Sequence, residues 1–546
     1  MTEVGVCSNG CCRSRELIAA EITILTIRVF TIFLLMTTVM LSGWLTEAVT
    51  PPHLTEQERH GRRIYLRGES ASGRALTVTI GDDSVELPAS TLPCAGCHGA
   101  DGRGKPEGGL IPSDLTWAEL TKPYGHRHPA GRVHPTFTEQ SLERAIVEGV
   151  DPAGNQLSPA MPKYQMSRAD LNDLLAYLRR LADDRDPGVT NTTITVGTLL
   201  PVSGPMAETG QAMREVLTAY FEELNQQGGI YQRRLQLLIA QPEQAQQFLA
   251  TESVFALVGA MPAGAEQEVA ALVSREETPL IAPYTLNPQL TSPPDRHIFY
   301  LLAGLPEQVR GLAKFATQQM NPFQTKAALI VLEDTRANEL ADAMVVQCQQ
   351  LGWKNIKRYT YPRGQLQAGT LVKQLQQEGM ELVFFLGASG DETTLINEAA
   401  KVNYTFPLYL PGSLAARATL NAIPTFRQKI YLAYPTTPID QTPAAWSEFQ
   451  ALLARHQIAP RHTAAQLSAY IAAKLFAEGL KRASRDLTRE KLLTALEGLY
   501  EFDTGLTPRL TFGPNRRIGA FGVHIVTFDR TKKAFVPAGN WVSLTQ

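Results

Sequence analysis

The chain has 546 residues, too many for a single hydrophobic core, so two or three domains are expected. Apolar residues make up 44% and charged residues 19%, the balance of a globular protein, which excludes widespread disorder. A formal net charge of −2 removes any general electrostatic case for nucleic acid or an anionic membrane surface as a partner.

A mostly apolar run spans Ile22 to Leu45, with Arg13 and Arg15 before it and no charge between Val29 and Trp44. That is the n-region and h-region pattern of an export signal. Thr46-Glu47-Ala48 offers a cleavage site. The alternative is an uncleaved anchor, since the run can span a bilayer if Arg28 snorkels. Either way the chain beyond residue 50 is expected in the periplasm, soluble or tethered to the inner membrane, because the basic residues stay inside. Cys7, Cys11 and Cys12 precede the run and read as part of a dispensable extension over residues 1–50. With Cys94, Cys97 and Cys348 they do not form a disulfide framework.

A first domain is expected over 51–185, rich in Gly, Pro and His, with helices only at its two ends. Thr55–Arg67 opens it. Ser167–Ala182 closes it, with Ser167 as N-cap and Asp170 at the third helical position. Between them stands Cys94-Ala95-Gly96-Cys97-His98. Two thiols three apart can add across the vinyl groups of one haem, and the next residue then presents an imidazole to the iron. A zinc site would need further ligands at matching spacing, and a thioredoxin-like pair belongs in a βαβ unit that this region lacks. One covalently attached haem c is therefore expected, with His98 as an axial ligand. Met161, in Ser158-Pro159-Ala160-Met161-Pro162-Lys163-Tyr164, is the expected sixth ligand, since flanking prolines stiffen the loop. Met166 and the group His126, His128 and His134 compete with it. His/Met ligation suits electron transfer and leaves no open position for catalysis at iron.

On Gly61 and Tyr65, Cys94–His98, Gly102 and Gly104, Met161-Pro162 and Leu175–Tyr177, residues 55–182 resemble class I cytochromes c. The resemblance implies an all-α domain in which Gly61, Tyr65 and Tyr177 make the crossing contact between terminal helices. An insertion at 69–93 departs from that family. Its alternation over Ala75–Ile80 and Ser84–Leu87, around Gly81-Asp82-Asp83, reads as a β-hairpin. Decoration is its expected role; covering a haem edge or docking on the second domain are the alternatives.

Asp183 to Gly188 is charged and ends in Pro-Gly, and a linker is placed at 186–191. From residue 192 to 546 short apolar runs alternate with amphipathic helices. The runs are Ile194–Val202, Leu235–Ala240, Val254–Gly259, Pro279–Pro283, Ala327–Leu332, Leu382–Gly387 and Pro407–Leu410. Helices are predicted at Gln211–Gln227, Ala265–Arg275, Glu307–Gln319, Ala337–Leu351, Leu366–Glu378, Ala444–His456 and Thr463–Ala483. This spacing implies parallel sheets covered on both faces, and the length implies two α/β lobes, split near 305 and 435.

On Gly197–Pro205, Asn225–Ile230, Pro279–Asn287 and Ile298–Leu305, residues 193–535 resemble the periplasmic branched-chain-amino-acid-binding family, type I solute-binding proteins of ABC importers. The resemblance implies two lobes closing over a ligand, with Ser203, Tyr284 and Thr285 as candidate contacts. The family's acidic partners for an ammonium are missing: Pro306 and Gly412-Ser413 stand where they would be. An unpaired buried ammonium costs several kcal/mol, so the expected ligand is a small organic molecule other than an α-amino acid. No nucleophile–base motif or dinucleotide fingerprint points to an enzyme. The expected function is an electron carrier whose solute domain senses a ligand or delivers it to a partner dehydrogenase or oxidase. The alternatives are a receptor for an ABC permease with an accessory haem, and an enzyme using haem as electron sink.

Overall fold

The structure, a computed structural model, describes residues 54–81, 85–104, 111–128, 131–184, 186–415, 429–485, 487–529, 531–532 and 534–544. The run read as an export signal, Cys7, Cys11, Cys12 and the Asp82-Asp83 stretch read as a turn lie outside the described residues. Among the described residues no helix is long and apolar enough to cross a membrane. The chain divides after Asp184 into two units.

In the first unit, α1 (Glu56–Arg67) starts at a capping box. The Thr55 hydroxyl accepts from the Glu58 amide, and the Glu58 carboxylate accepts from the Thr55 amide. It stops at Gly68, whose φ of +64° favours glycine and where a Cβ would lie 2.2 Å from the Ala89 carbonyl oxygen. β1 (Thr77–Ile80) and β2 (Val85–Pro88) pair antiparallel, Thr77 opposite Pro88 and Ile80 opposite Val85. The haem motif follows as α2 (Cys94–His98), then α3 (Trp117–Leu120), β3 (His126–Arg127) and β4 (Val133–His134). A nine-residue helix, α4 (Glu139–Val147), corrects the expectation of helices only at the ends. It is capped by Thr138 and buries Leu142, Ala145 and Ile146 along one face. β5 (Lys163–Gln165) then joins the hairpin, making a sheet of order β2-β1-β5. α5 (Arg168–Arg180) closes the unit under Ser167, whose hydroxyl accepts from the Asp170 amide. α1 and α5 cross at Gly61, and the rings of Tyr65 and Tyr177 lie 5.6 Å apart there.

In the second unit strands and helices alternate: β6 (Thr193–Leu199), α6 (Ala207–Gln226), β7 (Arg234–Ala240), α7 (Ala245–Thr251), β8 (Ala256–Val258), α8 (Glu266–Arg275), β9 (Leu280–Ile281) and β10 (Ile298–Leu302). These strands, with β16 (Ile518–Ala520), form a six-stranded parallel sheet of order β16-β10-β9-β8-β6-β7. It belongs to the first lobe. The second lobe begins at α9 (Leu305–Gln319). It continues through β11 (Lys326–Leu332), α10 (Thr335–Gln350), β12 (Asn355–Tyr361), α11 (Ala368–Glu378), β13 (Leu382–Leu386), α12 (Asp391–Lys401), β14 (Leu408–Pro411) and β15 (Ile430–Tyr434). Every residue of β8 and β13 is buried, as parallel strands covered on both faces must be.

The chain returns to the first lobe as α13 (Pro443–Arg455), α14 (Thr463–Arg482) and α15 (Arg489–Glu497), whose Phe449, Tyr470 and Leu492 share a core with Ile194 and Phe255. It crosses a third time after β16, which sequence alone did not reveal. β17 (Gly522–Asp529) pairs antiparallel with β15, and β18 (Ala534–Pro537) and β19 (Val542–Ser543) pair with β17. In the stretch read as a linker, Asp186 and Gly188 pack on the first lobe. Asp186 is buried and accepts from the Arg489 amide, and a Cβ at Gly188 would lie 2.4 Å from the Phe255 nitrogen.

Candidate functional site

One cavity of about 1120 Å³ in the first unit is lined by Cys94, Cys97, His98 and Met161, with Leu142, Ile146, Leu174 and Leu178 among its apolar walls. α2 places Cys94 and Cys97 one turn apart, so both thiols fall on one helical face. Both are free. Cys94 is enclosed by neighbouring atoms although part of its surface stays accessible, and burial pushes its thiol up to about 11. His98 is buried, and its Nδ1 lies 2.8 Å from the Ser113 carbonyl oxygen. A carbonyl only accepts, so Nδ1 carries the proton and Nε2 keeps its lone pair. Burial lowers the pKa of His98, against the opposing pull of that carbonyl, which favours the neutral imidazole a metal needs. Just beyond the motif, the Tyr65 hydroxyl donates to the Gly99 carbonyl at 2.7 Å.

Met161 is half-buried on a turn in which its amide donates to the Ser158 carbonyl at 2.8 Å. Met166 packs against the same core but lies outside the cavity lining. His126, His128 and His134 do line the cavity, with ligating nitrogens all within 4.8 Å of one another. Their rings stack, however: His126 on His134 at 4.7 Å and 24°, His126 on His128 at 6.1 Å and 14°. His128 and His134 are tilted by 32°, and their Nε2 atoms lie 3.0 Å apart in a hydrogen bond. His134 Nδ1 donates to the Pro135 carbonyl, and His128 Nε2 stands 3.1 Å from Arg132 Nη2. Burial first, then Arg132 and the two neighbouring imidazoles, push His128 down to about 4. The group is a stacked, mutually hydrogen-bonded cluster whose nitrogens are already engaged with one another, with Arg132 and with the Leu120 and Pro135 carbonyls. Two thiols on one face, an imidazole with a free Nε2 and a thioether in the same apolar cavity are the donor set that a c-type haem requires.

In the second unit, the loops leaving β6, β8, β9 and β10 are laced together by backbone bonds. Met261 N donates to Leu199 O, Tyr284 N to Ala260 O and Leu305 N to Leu286 O, at 2.7, 2.7 and 2.8 Å. They form one rim at the carboxyl edge of the sheet, where open α/β sheets bind ligands. Residues 200–206, 259–265 and 282–290 contain no charged side chain. Val202 and Leu286 are 56% and 45% exposed, and Met206 and Leu290 are also exposed. Sequence reasoning missed these four; the signal was the absence of charge from three successive loops. Ser203 is exposed and Tyr284 half-buried, its hydroxyl pKa raised by burial. Thr285 is engaged within its own loop: its hydroxyl donates to Glu266 Oε1 at 3.2 Å and accepts from the Asn287 amide at 2.9 Å. After Pro306, the next carboxylate, Glu307, is buried and accepts from the Gly304 amide at 3.0 Å, capping its own helix.

Residues 193–532 match the family described as periplasmic binding protein, and residues 89–182 match cytochrome c. The Leu/Ile/Val-binding protein homolog 3 of Brucella melitensis is 24% identical over 297 residues, 53% of this chain and 79% of the relative. Among solved structures, a fatty acid ABC transporter substrate-binding protein from Thermomonospora curvata aligns with a TM-score of 0.50. The identity is 17%, and the alignment covers 66% of this chain and 94% of that one. A branched chain amino acid ABC transporter from Thermus thermophilus with bound valine aligns with a TM-score of 0.50. Here the identity is 15%, with 65% and 96% covered. At such identities the likeness is one of fold.

Proposed function

The chain belongs to the periplasmic binding protein family and carries a cytochrome c domain ahead of the binding fold, and from that premise we propose an exported electron-transfer protein coupled to a small-solute sensor. The observation that carries the reading is the meeting of Cys94, Cys97, His98 and Met161 in one apolar cavity. Cys94 and Cys97 would hold one haem covalently, with His98 and Met161 as axial ligands; bound there, haem supplies one-electron chemistry. The Ser113 carbonyl orients His98, and Leu142, Ile146, Leu174 and Leu178 supply apolar wall. With His98 and Met161 both holding the iron, the domain would exchange electrons with partner proteins, a dehydrogenase or oxidase, rather than perform catalysis at iron.

The solute domain takes a small organic ligand other than an α-amino acid. The uncharged rim at 200–206, 259–265 and 282–290 supports this, with Ser203 and Tyr284 as its polar contacts and Thr285 shaping the loop. Coupling between the two sites is tested by titrating the holoprotein's midpoint potential with ligands found in a thermal-shift screen, run oxidised and reduced. A ligand that shifts the potential must bind the two redox states with different affinity. Binding identical in both states would sink the sensor reading. It would leave a second one, a receptor handing solute to an ABC permease, which is favoured by the transporter components among the structural neighbours.

A further inference from the structure

We propose that the hairpin inserted between α1 and the haem motif is a splint that holds Met161 in place as the sixth ligand. This rests on the assignment of Met161 to the iron. β1 is the middle strand of its sheet and faces β5 with Thr79 opposite Lys163, Val78 opposite Tyr164 and Thr77 opposite Gln165. β5 begins two residues after Met161. Upstream, the Gly81 amide donates to the Pro159 carbonyl at 3.3 Å. The Met161 turn is thus fastened to the insertion on both sides, at Pro159 and from Lys163 onward.

The fastening is anchored in turn. Val78 and Tyr164, opposite one another, are both fully buried in the domain core, and the Tyr164 hydroxyl donates to the Leu92 carbonyl at 2.6 Å, two residues before Cys94. Hairpin, Met161 turn and haem motif therefore form one bonded circuit. A thioether is a neutral, weakly held ligand, and its hold on a metal depends on how little conformational freedom its loop must surrender. Flanking prolines restrict single residues. The added strand fixes the segment as a whole, so the insertion serves ligation rather than decoration.

The test uses the full-length holoprotein and reads the Met–iron charge-transfer band, the rate of imidazole binding and the midpoint potential. Haem content and melting temperature serve as folding controls. Replacing residues 77–88 by a Gly/Ser stretch of equal length is expected to keep the haem, weaken the band and speed imidazole binding at least tenfold. Should that variant fail to fold, Tyr164→Phe and Val78→Ala decide: each is expected to speed imidazole binding severalfold and lower the potential. Rates within twofold of wild type in folded variants overturn the splint, provided that Met161→Ala abolishes the band. If Met161→Ala keeps the band, the ligand assignment itself has failed, and the splint with it.

Discussion

An ideal Cβ placed on Gly61 would lie 1.9 Å from the carbonyl oxygen of Asp173, so the helices that open and close the haem domain touch backbone to backbone. Gly61→Ala must push α1 and α5 apart and disturb the Tyr65–Tyr177 contact. A loss of roughly 1–3 kcal/mol or more is expected from such overpacking, read by denaturant melts of the holoprotein. Unchanged stability would mean that the crossing is looser than the structure shows.

Met161→Ala should leave covalent haem in place while removing the Met–iron band, lowering the potential and admitting imidazole. Met166→Ala should do none of these, because Met166 lies outside the cavity. Absorption spectra of the two variants, with redox titration, separate the possibilities.

The uncharged loops predict discrimination between an uncharged and a zwitterionic probe that share an isobutyl group. 3-Methyl-1-butanol should bind the protein saturably in calorimetry, and leucine at least a hundredfold more weakly, since the three loops carry no carboxylate of their own to pair its ammonium and the adjoining Glu266 is engaged by Thr285. Leu286→Asp should reduce binding of the alcohol about tenfold or more, as a charge replaces exposed apolar surface. Leucine binding tighter than the alcohol would refute the ligand class.

Arg489 is buried beneath the first lobe. Its guanidinium donates to the carbonyls of Val254, Phe255, Glu276 and Glu277 at 2.6 to 3.2 Å. Arg489→Met removes the cation and strands these acceptors, at an expected cost of roughly 3–5 kcal/mol. Thermal melts should show this as a fall in the transition of the solute domain, with the haem spectrum unaltered.

His128 supplies a pH test. Its folded pKa is pushed down to about 4 from an ordinary value of about 6.5. Between those limits the unfolded chain binds the extra proton, so stability is full above about 6.5 and falls as pH drops towards 4. His128→Gln should flatten that part of the profile, measured as melting temperature against pH.

The cytochrome c domain was legible in the sequence because the attachment expected of a c-type haem dictates spacing. Cys94, Cys97 and His98 had to sit on one turn, and Met161 stood out between its prolines. The strands of the solute domain were legible because strands covered on both faces, such as β13, must be apolar throughout. What escaped lacked a local pattern. β12, Asn355–Tyr361, runs along a sheet edge, and its adjacent exposed charges Lys357 and Arg358 break any apolar run. β5 is three residues long and exists only because β1, far upstream, pairs with it. Thr285 looked available because a hydroxyl's partners cannot be read from its neighbours.

The third crossing, between β16 and β17, has a consequence for how the protein is made. The second lobe's sheet receives β17, β18 and β19 from the last stretch of chain, after the three first-lobe helices between Pro443 and Glu497. Parallel β11 to β15 can assemble early, but β15 keeps an open edge until the antiparallel β17 arrives. During synthesis the second lobe is therefore begun in the middle of the chain and sealed at its end. A chain cut short after Phe521 would retain every strand of the first lobe and leave the second with an adhesive edge.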